Sequence, residues 1–440
     1  VSQPEKSKPI RALIIAEAAN PEWVSVPLEG WSHSQALATV CDTHLVTQIR
    51  NREAILRAGL EEGRDFTAID SERVAARISR LSNALHGKGK GWTLGTALQS
   101  ASYRYFERCL WKEFGARIRS GEFDVVHRIT PLSPTIASPL AARCKKAGVP
   151  FVWGPINGGV PWPKEFNRER RREQEWLSYL RDGYKLIPGY HATRRNAAAI
   201  IVGSRDTRAQ LDTRYHAKSV YIPENAIEPE RFSTERTRTP DLPLRVAFTG
   251  RLVPYKGADM LIEAAAPLAK AGKLTLDIMG DGPEMSRLQA LASEYGLNQS
   301  VRLDGWVEHA DLQDRLAQAD VFGFPSVREF GGAVVLEAMA LGLVPVILDY
   351  AGPSELVTEA TGFKVPLGNR DAVVQGFRSV LERLVAEPGS LEAVGRRARQ
   401  RVFQHFTWEA KAQQTRDVYR WVIGHTDKQP DFGIPLPDAE

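Results

Sequence analysis

The chain has little cysteine. Three occur in 440 residues, Cys41, Cys109 and Cys144, an odd number with no C-x-x-C pair among them. That argues against a disulfide framework or a cysteine-built zinc site and points to a reducing compartment. The nine histidines form no closely spaced ligand cluster, and no Asp-x-Asp occurs anywhere. The usual carboxylate clamp for a divalent ion on a diphosphate is missing, so no metal is expected. Long hydrophobic runs are lacking too. The most apolar stretch, Gly331 to Leu348, is interrupted by Glu337 and Pro345, which suits a buried helix followed by a strand and not a membrane span. Val1 to Pro9 is polar, without the apolar core of a signal peptide, so a cytoplasmic location is expected. Net charge is small: 58 Lys and Arg against 53 Asp and Glu leave +5. That gives no case for nucleic acid, although it suits anionic ligands or anionic lipid. No G-x-G-x-x-G follows either candidate first strand, which argues against a dinucleotide-dependent oxidoreductase. Gly87-Lys88-Gly89-Lys90-Gly91 lacks the Lys-Ser or Lys-Thr of a P-loop and reads as a mobile loop.

What is present is ordinary globular composition, 43% apolar and 25% charged. The length exceeds what one core usually organises, so two domains are expected. Two places open alike: Pro9-Ile10-Arg11 leads into the apolar run Ala12 to Ala16, and Pro243-Leu244-Arg245 into Val246 to Gly250. Each reads as a first buried parallel strand. Short apolar runs alternating with helical segments follow both, which implies α/β domains with helices on both faces of parallel sheets. Pro223 to Pro243, rich in Pro, Glu, Arg and Thr, reads as the join. The expected division is 9–224, a linker 225–242, a second domain 243–405, a C-terminal helix 406–426 and a loose tail 427–440. Leu391 to Ile423 reads as nearly continuous helix, broken near Phe406-Thr407.

The most informative segment runs from Val327 to Ala340. A strand ends near Pro325, Gly331-Gly332 follows, and a helix begins. Such a turn lets backbone N–H groups at a helix N-terminus approach an anion. Glu329 precedes the turn and Glu337 lies one to two turns inside the helix. Both are good acceptors for sugar hydroxyls; a capping Glu329 and a helix-surface Glu337 are the plainer alternative. An unpaired carboxylate inside so apolar a helix costs several kcal/mol, which favours a ligand role. Arg251 and Lys256 follow the first strand of the second half, where a basic pair would neutralise a departing diphosphate. Met279-Gly280-Asp281-Gly282-Pro283-Glu284 and Asp304-Gly305-Trp306-Val307 are lesser loops after the next two strands, and Trp306 reads equally well as ordinary packing.

Taken in order, Gly250-Arg251-Leu252 with Lys256-Gly257, Gly280-Asp281-Gly282-Pro283, Gly305-Trp306-Val307 and Glu329…Glu337 resemble the motif series of the family-four retaining glycosyltransferases. The resemblance is dense in the second half. It implies the GT-B fold, two Rossmann-like doubly wound parallel-sheet domains facing across a cleft. It implies transfer of a sugar from a nucleotide-sugar, most often a UDP-sugar, with retention of anomeric configuration. No metal or other cofactor is implied, the nucleotide-sugar being a substrate. By this resemblance Glu329 contacts the donor sugar and Glu337 the ribose. Arg251 and Lys256 hold the diphosphate, helped by the backbone of Phe330, Gly331, Gly332 and Ala333. Gly282 lies near the nucleoside, and the Trp306-Val307 backbone meets the base. Asn225-Ala226-Ile227-Glu228 resembles the family's interdomain Asn-Gly-Val-Asp.

The first half matches more loosely. In Glu29-Gly30-Trp31 only Gly30 transfers, as a donor-phosphate contact. Asp124-Val125-Val126-His127 resembles an Asp-x-Val-His strand end, but the family's frequent second histidine is Ile129 here. His127 is thus a candidate for the sugar, with a satisfied core or cleft-lining histidine as the alternative. Trp153-Gly154-Pro155-Ile156-Asn157-Gly158-Gly159 resembles a Gly-Pro-x-Gly-Gly-Gly loop interrupted by Asn157; it is expected on the acceptor side, although a plain tight turn would look the same. Pro161 to Arg195 interleaves Trp162, Trp176, Tyr179, Tyr184 and Tyr190 with Arg168, Arg170, Arg171, Arg172, Arg181 and Lys185. It reads either as a surface for anionic membrane or a lipid-linked acceptor, giving a peripheral location on the inner face, or as a solvated helix face. The competing functional readings are a noncatalytic GT-B-like nucleotide-sugar-binding subunit and a GT-B phosphorylase or epimerase. Intact Glu329, Glu337, Arg251 and Lys256 argue against the first.

Overall fold

The computed structural model describes residues 8–72, 92–158, 160–167, 170, 189–232 and 240–432. The chain divides into two compact units. The first takes residues 1–159, 176–224 and 408–432, the second 160–175, 225–407 and 433–440.

The first unit is built on β1 (Arg11–Ala16), β2 (Asp42–Gln48), β3 (Phe66–Ile69), β4 (Val125–Thr130), β5 (Phe151–Ile156), β6 (Ala199–Val202) and β7 (Ser219–Tyr221). They lie in the order β3-β2-β1-β4-β5-β6-β7, every neighbouring pair parallel. Ile14 is in register with Leu45 on one side and His127 on the other. Alternate residues point to opposite faces, so Leu13 and Ile15 join one core, and Ala12 and Ile14 the other. The helix Trp92–Arg119 covers the first face with Phe106, Leu110, Phe114 and Ile118, one residue every four. The helix Trp408–Val422 covers the second with Ala412, Val418 and Tyr419.

The second unit is built on β8 (Leu244–Thr249), β9 (Leu274–Met279), β10 (Val301–Gly305), β11 (Val321–Phe324), β12 (Val344–Asp349) and β13 (Phe363–Pro366). The order is β10-β9-β8-β11-β12-β13, again parallel throughout. The C-terminal helices break at Phe406-Thr407, between Ser390–His405 and Trp408–Val422.

Three strands carry no clear signal in the sequence. In β2 the apolar run is short because His44 and Gln48 occupy inward positions, each satisfied by hydrogen bonds. β3 and β13 are four-residue edge strands. The expected division also needs correcting. Residues 160–167 lie within 9–224 yet belong to the second unit, because Trp162 packs on Tyr255 and beneath Arg328. Of the tail, Gln429 donates to the Ser219 carbonyl at 2.9 Å and Phe432 packs on the first unit's core. That stretch is docked, not loose; 433–440 lie outside the described residues, as does the loop 87–91. Among the described residues no helix is long and apolar enough to cross a membrane.

Candidate active site

In the second sheet the winding reverses between β8 and β11, the chain proceeding outward to β10 in one direction and to β13 in the other. Open parallel sheets bind ligands at such a switch point, beyond the C-terminal strand ends. The loop after β8 carries Arg251 and Lys256, and the loop after β11 carries Glu329. The Lys256 ammonium is bonded to Glu329 Oε2, with the two side chains 14% and 18% exposed. The loops are also joined through the backbone, Val327 N–H donating to the Tyr255 carbonyl at 2.9 Å. Lys256 Nζ stands 5.1 Å from the Phe324 ring centre, so an aromatic face backs the charge. The sequence assigned Lys256 to a diphosphate and Glu329 to a sugar separately; the structure makes each the other's partner. An ammonium donates three hydrogen bonds and a carboxylate accepts about four, so both keep capacity for a ligand. Arg251 is exposed and, among the described residues, its side chain makes no hydrogen bond or ion pair.

The helix Ala333–Ala340 starts from Gly332, whose φ of 74° puts it in the left-handed region. No side chain caps it. Its first N–H groups, at exposed Ala333 and after, therefore present the positive end of the helix to any anion beside them. Glu337 is half-buried, about one turn farther on. The turn is clamped from outside: a side chain at Gly331 would run into the Asn225 amide, and Gly352 N–H donates to the Glu329 carbonyl at 3.3 Å. Phe330 is exposed beside it.

The loops after β8, β9 and β10 are laced together. Leu252 N–H donates to the Asp281 carbonyl at 2.9 Å, Glu284 N–H to the Leu252 carbonyl at 3.1 Å, and Gly280 N–H to the Gly305 carbonyl at 2.7 Å. Gly282 lies so close to the Leu252 carbonyl that no side chain fits. Trp306 is 69% exposed, its indole N–H on Glu308 at 3.0 Å, so it is not ordinary packing. Val307 beside it is half-buried.

The first unit has its own switch point, between β1 and β4. Gly30 sits there, in the helix Val26–Ala38, against the Ala18 carbonyl and Thr130, which itself accepts from Ala18 N–H at 3.0 Å. His127 is a core residue, which corrects its candidacy as a sugar contact. Its ring is fully buried; Nε2 donates to the Gly154 carbonyl at 2.6 Å, and Nδ1 accepts from the Tyr419 hydroxyl at 2.6 Å. Burial pushes its pKa down to about 4, so it stays neutral. Asn157 does not merely interrupt its glycine-rich loop. Its Oδ1 accepts from Gly158 N–H, Ser204 Oγ and Thr207 Oγ1 at 2.9, 2.9 and 3.1 Å, while its Nδ2 has no partner among the described residues. One pairing carries no sequence signal: buried Glu29 meets Lys411 of the helix Trp408–Val422 at 3.5 Å. Burial raises Glu29 to about 7 despite Lys411, and lowers Lys411. Of the basic-aromatic stretch, Trp162 and Tyr190 are buried and offer no surface, Tyr190 stacking under Arg194 at 3.3 Å. Trp176, Tyr179, Tyr184, Arg168, Arg171, Arg172, Arg181 and Lys185 lie outside the described residues. Among the described residues no group of three or more His, Cys, Asp or Glu is placed to hold a metal ion.

A family profile described as "Glycosyl transferases group 1" matches residues 230–401, the segment that contains the loops after β8, β9, β10 and β11. The GDP-mannose-dependent monoacylated alpha-(1-6)-phosphatidylinositol monomannoside mannosyltransferase of Corynebacterium glutamicum is 34% identical over 297 residues, 63% of this chain and 72% of that protein. The chain belongs to the group 1 glycosyltransferases. Other curated relatives of this chain, such as the alpha-maltose-1-phosphate synthase of Mycobacterium tuberculosis, are matched over about half their length, 49% in that case at 34% identity. In fold it is similar to the sucrose-phosphate synthase of Thermosynechococcus elongatus, with TM-score 0.59 at 18% identity over 95% of this chain and 100% of that one. The two parallel-sheet, Rossmann-like domains are those of the GT-B class.

Proposed function

We propose that this glycosyltransferase moves a sugar from a nucleotide-sugar, a UDP-sugar, to a saccharide, lipid-linked or small-molecule acceptor, with retention and without a metal. The observation that carries the reading is the Lys256–Glu329 pair at the β8/β11 switch point, next to the uncapped helix that leads to Glu337. In this reading Arg251, Lys256 and the N–H groups after Gly332 meet the charge that develops on the leaving diphosphate. The bond from the anomeric carbon to the phosphate oxygen breaks as the bond to the acceptor oxygen forms on the same face. The acceptor's proton passes to the leaving phosphate oxygen, and Glu329 orients the sugar without forming a covalent intermediate. Glu337 takes the ribose hydroxyls.

The corynebacterial relative is named as GDP-mannose-dependent, whereas an Anabaena structure of similar fold, TM-score 0.54 at 15% identity, holds UDP and glucose. UDP is favoured here on family frequency. The basic residues between 168 and 185 suit a peripheral contact with anionic lipid on the cytoplasmic side. The test is a panel of UDP-, GDP- and ADP-sugars scored by thermal shift. A specific donor at a hundred times its dissociation constant should add about 2.7 kcal/mol of apparent stability. No shift with any of them would overturn the reading; a shift without transfer or hydrolysis would leave a noncatalytic binding subunit.

A further inference from the structure

Residues 160–167 follow the glycine-rich loop of the first unit in sequence, yet pack inside the second. Trp162, 9% exposed, meets the Tyr255 ring edge-on, with centroids 6.0 Å apart and planes at 89°. The Arg328 guanidinium lies over two rings, 5.3 Å from the Trp162 centroid and 5.5 Å from that of Phe330. The Tyr350 hydroxyl donates to the Pro161 carbonyl at 2.7 Å, and Phe166 is buried a few residues on. Tyr255 and Arg328 are the chain neighbours of Lys256 and Glu329. The aromatic stack therefore grips, from outside, the two loops that the ion pair joins.

Those loops need such a grip. Gly331 and Gly332 have no side chains to pack, and glycine backbone is the freest of all. Backbone bonds from Val327 to Tyr255 and from Gly352 to Glu329 tie the main chain, but the Glu329 carboxylate itself is held by one ion pair, and a single such pair fixes a side-chain geometry poorly. A carboxylate that must meet one sugar hydroxyl has to be held to within about 0.5 Å. We propose that Trp162 is a positioning residue: through Arg328 and Tyr255 it fixes the Glu329 carboxylate and the N–H groups of Gly331 to Ala333 in their binding arrangement. This rests on the donor-site reading above, and residue 162 acts by its ring face, not by charge.

The test uses the full chain with Trp162→Ala, Trp162→Phe, Arg328→Ala and the Trp162→Ala/Arg328→Ala double variant. Amide hydrogen exchange over 326–333, with no ligand present, should quicken in Trp162→Ala and stay near wild type in Trp162→Phe. With UDP-glucose and GDP-mannose as donors, kcat/KM should fall about ten- to a hundredfold in Trp162→Ala. The nucleotide-sugar should also lose its binding advantage over the bare diphosphate. Trp162→Phe should recover most of both. The double variant should be no worse than the worse single one, because the pair acts as one stack. Additive losses, or unchanged exchange and kinetics, would overturn the proposal. So would faster exchange with unaltered donor kinetics. A wild type that binds neither nucleotide would sink the donor reading instead. The exchange arm then decides alone, quickening confined to 326–333 supporting the grip and its absence refuting it. Should Trp162→Ala fail to fold, Arg328→Ala must show the same quickened exchange and the same kinetic loss, or the proposal falls.

Discussion

Lys256 and Glu329, 73 positions apart in the chain, are bonded to each other across the loops that follow β8 and β11. A cation and a carboxylate expected to serve two parts of a donor are thus one electrostatic unit. Lys256→Met and Glu329→Gln should each lower kcat/KM by about 10²–10³, the scale of one lost charge-stabilising group. The double variant should fall well short of the product of the two, because either single change leaves an uncompensated partner. Strictly multiplicative losses, measured by steady-state kinetics, would show that the two act separately.

Glu337, half-buried in the helix after Gly332, is proposed to hold the ribose diol. Glu337→Gln should weaken UDP binding by about 1–3 kcal/mol, the scale of a lost charge-assisted hydrogen bond, with the fold intact. Isothermal titration calorimetry reads this directly. An affinity equal to wild type would take Glu337 out of the site.

His127 predicts an acid-side loss of stability. Its folded pKa is depressed from 6.5 to about 4, so between these pH values the unfolded chain binds a proton that the native state does not. Stability therefore falls as pH drops through that window, by about 3 kcal/mol for this group. His33, lowered in the same direction by burial, adds to it. His127→Gln should show a shallower decline in urea-unfolding free energy between pH 6.5 and 4. Equal slopes for the two proteins would mean that His127 is not held neutral.

Retention and metal independence can be checked together. NMR of the product's anomeric centre, from an α-linked donor and with EDTA throughout, should show an α-linked product. A β-linked product would refute retention. Activity abolished by EDTA and restored by magnesium would refute metal independence.

The second unit was the more legible in sequence because its chemistry is local. Gly250-Arg251, Lys256-Gly257, Gly280 to Pro283 and Glu329 to Glu337 each lie in one short loop after one buried strand, and buried parallel strands announce themselves as apolar runs. Edge strands β3 and β13, and β2 with its hydrogen-bonded polar residues, do not.

Sequence alone determined the alternation of helices with the buried central strands, the helix break at Phe406-Thr407 and the loops bearing the candidate site residues. These follow from hydrophobic period and turn chemistry, which act over a few residues. Only the tertiary structure decided that Lys256 pairs with Glu329, that Lys411 is buried against Glu29, and that His127 is a satisfied core residue. It also moved Trp162 from a supposed surface to a place beneath Arg328. Each of those facts is a meeting of groups far apart in the chain, set by the order in which strands assemble and by desolvation, and neither leaves a mark in any local window.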